Sequence, residues 1–442
     1  MTVHSIVKPA ALVAGVALTL GLAAGPAAAQ PSDLLAAKLP SDAVYHIKYP
    51  AGKGPGRLIM VEKAAPGDYL TPVRTSQHYR IAFTTKDSRN RPVVGTALLS
   101  QPPRANGMTY KSNGNRVWIN SMYINGLSLR CSPTQNYRLF RSMEPTTAQM
   151  MEGVLAGLGV SNTGPQVRQF SVLTPDLLGN SMMYGANIAS GRLILDAMRA
   201  LQRDGKKLGY VDPTFVMQGF SGGAMASASA ALQMTKYAPS LVKKTNGIFM
   251  GGTPVDMIQI SERYRKNAKA AFYQKGNEQL AMGVGITIGL SRQYPELRRY
   301  FTSHLTKKGK SVVRTMSNMC LSEMVDYVKT NNMSMAEILT VNLLNNPVLD
   351  KYLSRESVRS FPYRPSRDKG VHHYFYHGQG DKDVSGELVQ NMAASWARYG
   401  AWTQFMWVPS MDHITAQLVS IGPLLSAGAF ELYRDHNVTV TP

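Results

Sequence analysis

Thr214-Phe215-Val216-Met217-Gln218-Gly219-Phe220-Ser221-Gly222-Gly223-Ala224-Met225 is the stretch on which the fold turns. Its opening, Thr214 to Met217, has the β-branched and aromatic character of a buried strand. Its continuation, Ala224 to Met234, is a run of mostly small residues that reads as a helix. Between them, Gly219-Phe220-Ser221-Gly222-Gly223 has the G-x-S-x-G form of a sharp strand-to-helix turn, which lifts a serine hydroxyl above the end of a sheet. Side chains at 219 and 223 would collide with the neighbouring strand and helix, and Ser221 at the tip sits in strained backbone. The bland alternative is a glycine-rich turn carrying an idle serine.

On either side the chain alternates strands and helices. Apolar and β-branched runs predict strands near 79–85, 92–100, 116–124, 170–174, 214–219, 247–250, 374–377 and 405–408. In 186–202, Ile188, Leu195, Met198 and Leu201, with small Gly191, fall at helical spacing. Such alternation argues for a mostly parallel central sheet flanked by helices on both faces. The two earliest strands, joined by Asp87-Ser88-Arg89-Asn90, read instead as an antiparallel hairpin. From 257 to 365 the pattern becomes helical and strandless, rich in Met and in cations such as Arg298, Arg299, Lys307, Lys308 and Lys310. The expected organisation is therefore a core in two parts, 30–256 and 366–442, interrupted by a helical cap at 257–365.

A serine hydroxyl attacks a carbonyl only when a base takes its proton. In a fold entered through this turn the chain order is Ser, then acid, then His. Downstream of Ser221 the histidines are His304, His372, His373, His377, His413 and His436. His413 is best placed, on a loop directly after the strand-like Phe405-Met406-Trp407-Val408. His372, His373 and His377 lie in or beside the preceding strand, where an imidazole more often meets solvent or a packed face. The acid should follow that strand, within Gly378-Gln379-Gly380-Asp381-Lys382-Asp383. Asp381 fits best, with Asp383 and Asp412 as competitors. The first amide of the helix after Ser221, that of Gly222, is one candidate oxyanion donor. The second would come from the loop after strand 116–124, at Asn125 or Gly126.

The N-terminus carries Lys8, an apolar run from Ala10 to Leu22 and the small residues Ala27-Ala28-Ala29, the layout of an export signal cleaved near Ala29. The expectation is a secreted or periplasmic protein, since no later stretch reaches about 18 apolar residues. A hydrophobic content of 44% suffices for a large core, and the formal charge of +21 would attract anionic membranes or polymers. Zinc-ligand spacings and ribonucleoprotein motifs are absent from the sequence, so neither a metal nor nucleic acid is implied. No organic cofactor is implied either, and a monomer is favoured. The two cysteines, Cys131 and Cys320, read as one bridge in an exported chain, with two buried thiols as the alternative.

With those residues placed, the sequence resembles the secretory lipase family of α/β-hydrolases over roughly 116–417. The blocks that carry the resemblance, in order, are Cys131-Ser132-Pro133; Leu173-Thr174-Pro175-Asp176 with Gly179; Ser190-Gly191-Arg192-Leu193-Ile194-Leu195-Asp196; the turn at Ser221; Gly251-Gly252-Thr253-Pro254-Val255-Asp256; Cys320-Leu321; and the Asp381 and His413 segments. The resemblance implies the α/β-hydrolase fold with an inserted helical cap, a Ser221–Asp381–His413 triad, oxyanion donors at Gly222 and Asn125, and a Cys131–Cys320 disulfide. It further implies hydrolysis of acyl esters or lipids with a buried acyl tunnel. In two respects the chain departs from yeast members: a short tail follows His413, and there is no second cysteine pair. The rival readings are an acyltransferase using the same triad and a non-catalytic, cationic surface-binding protein of this fold.

Overall fold

The strand that leads into Ser221, β6 (Thr214–Phe220), is buried along six of its seven residues, as a strand covered on both faces must be. It lies inside a nine-stranded sheet of order β1-β2-β3-β5-β4-β6-β7-β8-β9. The other strands are β1 (Leu58–Lys63), β2 (Gln77–Lys86), β3 (Pro92–Gln101), β4 (Arg116–Ser121), β5 (Ser171–Pro175), β7 (Thr245–Gly251), β8 (His372–Gly378) and β9 (Thr403–Val408). The computed structural model describes residues 33–63, 77–101, 115–122, 126–136 and 171–417. The proposed export signal, Asn125, His436 and the tail beyond Gln417 lie outside these residues. From Leu34 onward the described residues belong to one compact unit.

Pairing is antiparallel from β1 to β3 and between β3 and β5, and parallel across the remaining pairs from β5 to β9. This is the α/β-hydrolase sheet. Strand order reverses at β5-β4-β6, which opens a crevice at the carboxyl ends of β4 and β6, where open α/β sheets bind ligands. Ser221 follows β6 at that place.

The expected hairpin is present, with Lys86 opposite Pro92. Asp87 closes its turn by accepting the amides of Arg89 at 2.8 Å and Arg91 at 3.0 Å. Two expectations need correction. β1 has no counterpart in the sequence reading: it pairs on one side only, is half-exposed, and lacks the alternation or continuous burial that marks a strand locally. The strand expected at 116–124 ends at Ser121, with Met122 already outside it and 123–125 beyond the described residues.

Among helices of eight or more residues, α1 (Asn187–Asp204) and α2 (Gly222–Tyr237) pack together. The polar residues of the Ser190–Asp196 block tie this pair together. Arg192 donates to Gln233 at 3.0 Å, and Asp196 takes both Arg199 and the Tyr237 hydroxyl, the latter at 2.7 Å. Burial pushes the Asp196 carboxyl up in pKa against the lowering charge of Arg199.

Between β7 and β8 come α3 (Glu278–Gln293), α4 (Pro295–Ser303), α5 (Lys307–Met316), α6 (Leu321–Thr330) and α7 (Pro347–Glu356), and α8 (Gly386–Tyr399) lies between β8 and β9. Their apolar residues continue the main core without a break. Two side chains fasten this helical stretch. The Arg292 guanidinium donates to the carbonyls of Leu35, Leu127, Met182 and Ser317 at 2.6 to 3.1 Å, meeting backbone acceptors from four separate segments. Glu356 accepts the Ile188 amide at 2.8 Å, placing a carboxylate at the amino end of α1. Cys131 and Cys320 are joined in a disulfide that closes a sequence separation of 189. No helix among the described residues is long and apolar enough to cross a membrane.

Candidate active site

Ser221 has φ 51 and ψ −120, a conformation that non-glycine residues seldom adopt. The strain is held by packing. A Cβ on Gly223 would lie 1.9 Å from the Ser121 carbonyl oxygen, and one on Gly219 would lie 2.3 Å from the Gly223 backbone. Both clashes are with backbone, so the two glycines let β6 and α2 meet at this angle. The Ser221 amide donates to Gly251 of β7 at 2.9 Å, and its carbonyl accepts the Met225 amide at 3.0 Å, so the turn is pinned to sheet and helix alike.

The turn delivers the hydroxyl to His413, whose Nε2 is 3.0 Å from Ser221 Oγ. His413 Nδ1 is 2.7 Å from Asp381 Oδ2. A carboxylate only accepts, so the hydrogen of that bond sits on Nδ1 and the bare Nε2 faces the serine hydroxyl. The ring has close neighbours on two sides: Phe220 at 5.1 Å between centroids, and Gly252, whose Cβ, if it had one, would be 3.1 Å from His413 Cε1. Its loop rests on a small apolar cluster of Phe220, Tyr376, Val408 and Ala416.

Asp381 is placed by the turn after β8. Oδ1 accepts the amides of Asp383 and Val384, both at 2.9 Å, and Gly380 N donates to Met411 O at 2.9 Å, bolting the acid loop to the histidine loop. Burial by itself would raise the Asp381 carboxyl. The hydrogen bonds from His377, His413 and the Val384 amide outweigh it and hold the group well below the usual carboxylate range.

The competitors lie elsewhere. Asp383 contributes its amide, and Asp412 is occupied in its own turn, accepting the Thr415 amide at 2.8 Å and hydroxyl at 2.7 Å. His304 bonds the Tyr300 carbonyl within the insertion, and His372 stacks on Trp402. His373 is buried against the Trp402 carbonyl, where desolvation lowers it to about 4. His377, expected from its place in the strand to meet solvent or a packed face, is buried with its Nε2 3.2 Å from Asp381 Oδ2. Among the described residues no group of three or more His, Cys, Asp or Glu is arranged to hold a metal ion.

Gly222 opens α2, and the first amides of a helix have no intrahelical acceptor, so its N–H is available beside Ser221. A small apolar cavity of about 80 Å³ lies in the helical stretch, lined by Met257, Leu280, Ile286, Met335, Leu343 and Leu353 among others. Asn187 Nδ2 contacts both Met257 Sδ at 3.3 Å and Met225 Sδ at 3.0 Å, linking the cavity wall to the first turn of α2.

Comparison with known proteins places these features in context. The profile of the family described as "Secretory lipase" matches residues 162–426. Lipase 4 of Candida albicans is 23% identical over 378 residues, covering 81% of this chain and 76% of that protein. Secreted triacylglycerol lipase LIP3 of Malassezia restricta is 21% identical over 369 residues, covering 80% of this chain and 71% of that one. The solved structure of Candida antarctica lipase A in its closed state shares the fold, with TM-score 0.70 at 21% identity over 91% of this chain and 90% of that chain.

Proposed function

The chain belongs to the secretory lipase family and is a carboxylic ester hydrolase, and on that premise we propose that it cleaves acyl esters through a covalent acyl-enzyme formed on Ser221. The observation that carries the reading is the line of hydrogen bonds from Ser221 Oγ through His413 to Asp381, set on a backbone turn of positive φ. Ser221 Oγ attacks the ester carbonyl carbon as His413 Nε2 takes its proton. The amides of Gly222 and Asn125 receive the negative charge on the carbonyl oxygen. Collapse breaks the bond to the alcohol oxygen, which leaves with the proton from His413. Water then attacks the acyl-enzyme, giving its proton to His413, and the acid departs as Ser221 regains a hydrogen. Asp381 holds the imidazole in the productive tautomer and stabilises its charged form.

The segment 257–365 acts in this reading as a helical cap. Residues 1–29 serve as a cleavable export signal, consistent with the bridged cysteines and with a relative named as secreted.

The reading is tested with a p-nitrophenyl ester series from acetate to palmitate, together with an alkyl p-nitrophenyl phosphonate that traps the nucleophile. We expect turnover of the esters, and stoichiometric phosphonylation at Ser221 that abolishes it. A label on another residue, or turnover that survives full labelling, would overturn the assignment.

The charge supports a further part of the reading. Arg299 on α4 and Lys307, Lys310 and Arg314 on α5 are exposed, and α5 itself carries no acidic residue. We assign this cationic face to anionic lipid surfaces. Adsorption to phosphatidylglycerol vesicles should fall steeply as salt is raised above about 0.1 M, where the screening length is about 10 Å. Adsorption insensitive to salt, or equal on zwitterionic vesicles, removes the electrostatic role.

A further inference from the structure

Asp381 Oδ2 receives two imidazoles. One belongs to His413; the other is His377, on β8 four residues before the acid, with its side chain only 1% exposed. His377 Nε2 lies 3.2 Å from Asp381 Oδ2 and 3.1 Å from the Val384 carbonyl. Both neighbours only accept, so the hydrogen of this ring sits on Nε2 and is directed into the acid turn. Nδ1 is buried and has no hydrogen-bond partner among the described residues. The ring is locked in place: Trp407 of β9 meets it edge-to-face at 5.8 Å, and a Cβ on Gly386 at the start of α8 would come within 2.6 Å of it.

A buried imidazole that leaves one nitrogen unsatisfied is a poor choice for filling space, since an unpaired buried polar atom is costly. Its other nitrogen, however, reaches the carboxylate oxygen that His413 uses. We infer that His377 is a positioning residue for the hydrolytic reaction, which fixes Asp381 Oδ2 opposite His413 Nδ1 by donating its Nε2 hydrogen to that oxygen and to the Val384 carbonyl.

The two amides on Oδ1 anchor one side of the carboxylate, and His377 anchors the other. Without it, Oδ2 keeps a single donor, the moving catalytic ring itself. His377 acts through Asp381 and touches neither substrate nor Ser221. The remaining ionisable groups around the carboxylate are His413, Asp412 on the same loop, and Asp383, which lends only its amide.

The inference rests on the triad reading above, and the experiment separates the two. His377→Gln carries an amide nitrogen near the place of Nε2, His377→Asn is polar but too short to reach it, and His377→Phe keeps the ring without a donor. Active sites are counted by phosphonate labelling, so kcat refers only to molecules with a competent Ser221. With one hydrogen bond to a charged group removed, kcat on a p-nitrophenyl ester should fall on the order of tenfold in the Asn and Phe variants. KM should stay unchanged, and the Gln variant should recover most of the rate. Equal losses in Gln, Asn and Phe, or a loss confined to KM, overturn the positioning role and leave a packing role. Retained kcat in the Asn variant overturns it as well, and if Phe fails to fold, the Gln and Asn pair still decides. Failure of the wild-type protein to be labelled at Ser221 would instead strike the triad reading, whatever the His377 variants do.

Discussion

Ser221→Ala is expected to lower kcat for ester hydrolysis by about 10⁴-fold or more while leaving the fold in place. The hydroxyl is the only group at the head of the hydrogen-bond line to His413 and Asp381. Without it the imidazole has no proton to take, and residual catalysis would come from the oxyanion donors and from binding. The fold should tolerate the change because Ser221 is only partly buried. Alanine must adopt the same positive φ of 51, so the strain of the turn is unchanged. Unfolding in urea should therefore move by less than about 1 kcal/mol. Hydrolysis near the wild-type rate by a folded variant would remove Ser221 from the reaction.

The second large effect concerns stability. Replacing both Cys131 and Cys320 by Ala should cost about 4 to 5 kcal/mol, because the bridge spans a sequence separation of 189 and the chain-entropy contribution grows with loop length. That is a large share of the roughly 5 to 15 kcal/mol by which folded domains exceed their unfolded states. The effect should fall mainly on the unfolded chain, since other contacts hold the same two segments together in the native protein. The Leu127 amide donates to Met319 O at 2.9 Å, Gly126 pairs with Cys320 as an antiparallel bridge, and Arg130 pairs with Glu323. Urea unfolding of the double variant, beside the wild type with and without reductant, measures it. A difference below about 1 kcal/mol would show that the bridge adds little to these contacts.

The elbow, the parallel run of strands, the β2–β3 hairpin and the helical character of the insertion were all legible in the sequence, because each is coded within a few residues. Gly219 and Gly223 flank Ser221 in one short window, and the apolar run before them and the small residues after them name the strand and the helix. The same holds for His413, which sits one turn beyond β9. The choice among carboxylates was less legible, because Asp381, Asp383 and Asp412 all lie in plausible loops. The turn after β8 separates them: Asp381 folds back on the amides of 383 and 384 and meets His413, while Asp412 is consumed by Thr415.

Other features depend on segments far apart in the chain, and no local pattern marks them. β1 is a strand only because β2 offers it an edge. Arg292 reads in sequence as one more cation of a basic insertion, yet it is enclosed by carbonyls from four segments. His377 reads as an ordinary strand residue, and its approach to Asp381 at 3.2 Å is set in a folded environment where Trp407 and the start of α8 pack against the ring. The sequence alone determined the elbow, the order of the proposed serine, acid and histidine, and the alternation that builds the sheet, since backbone sterics and hydrophobic period act over a few residues. Only the tertiary structure decided which acid is joined to His413, what steadies that acid and where the helical insertion is fastened, because those depend on hydrogen bonds and packing between segments brought together by folding.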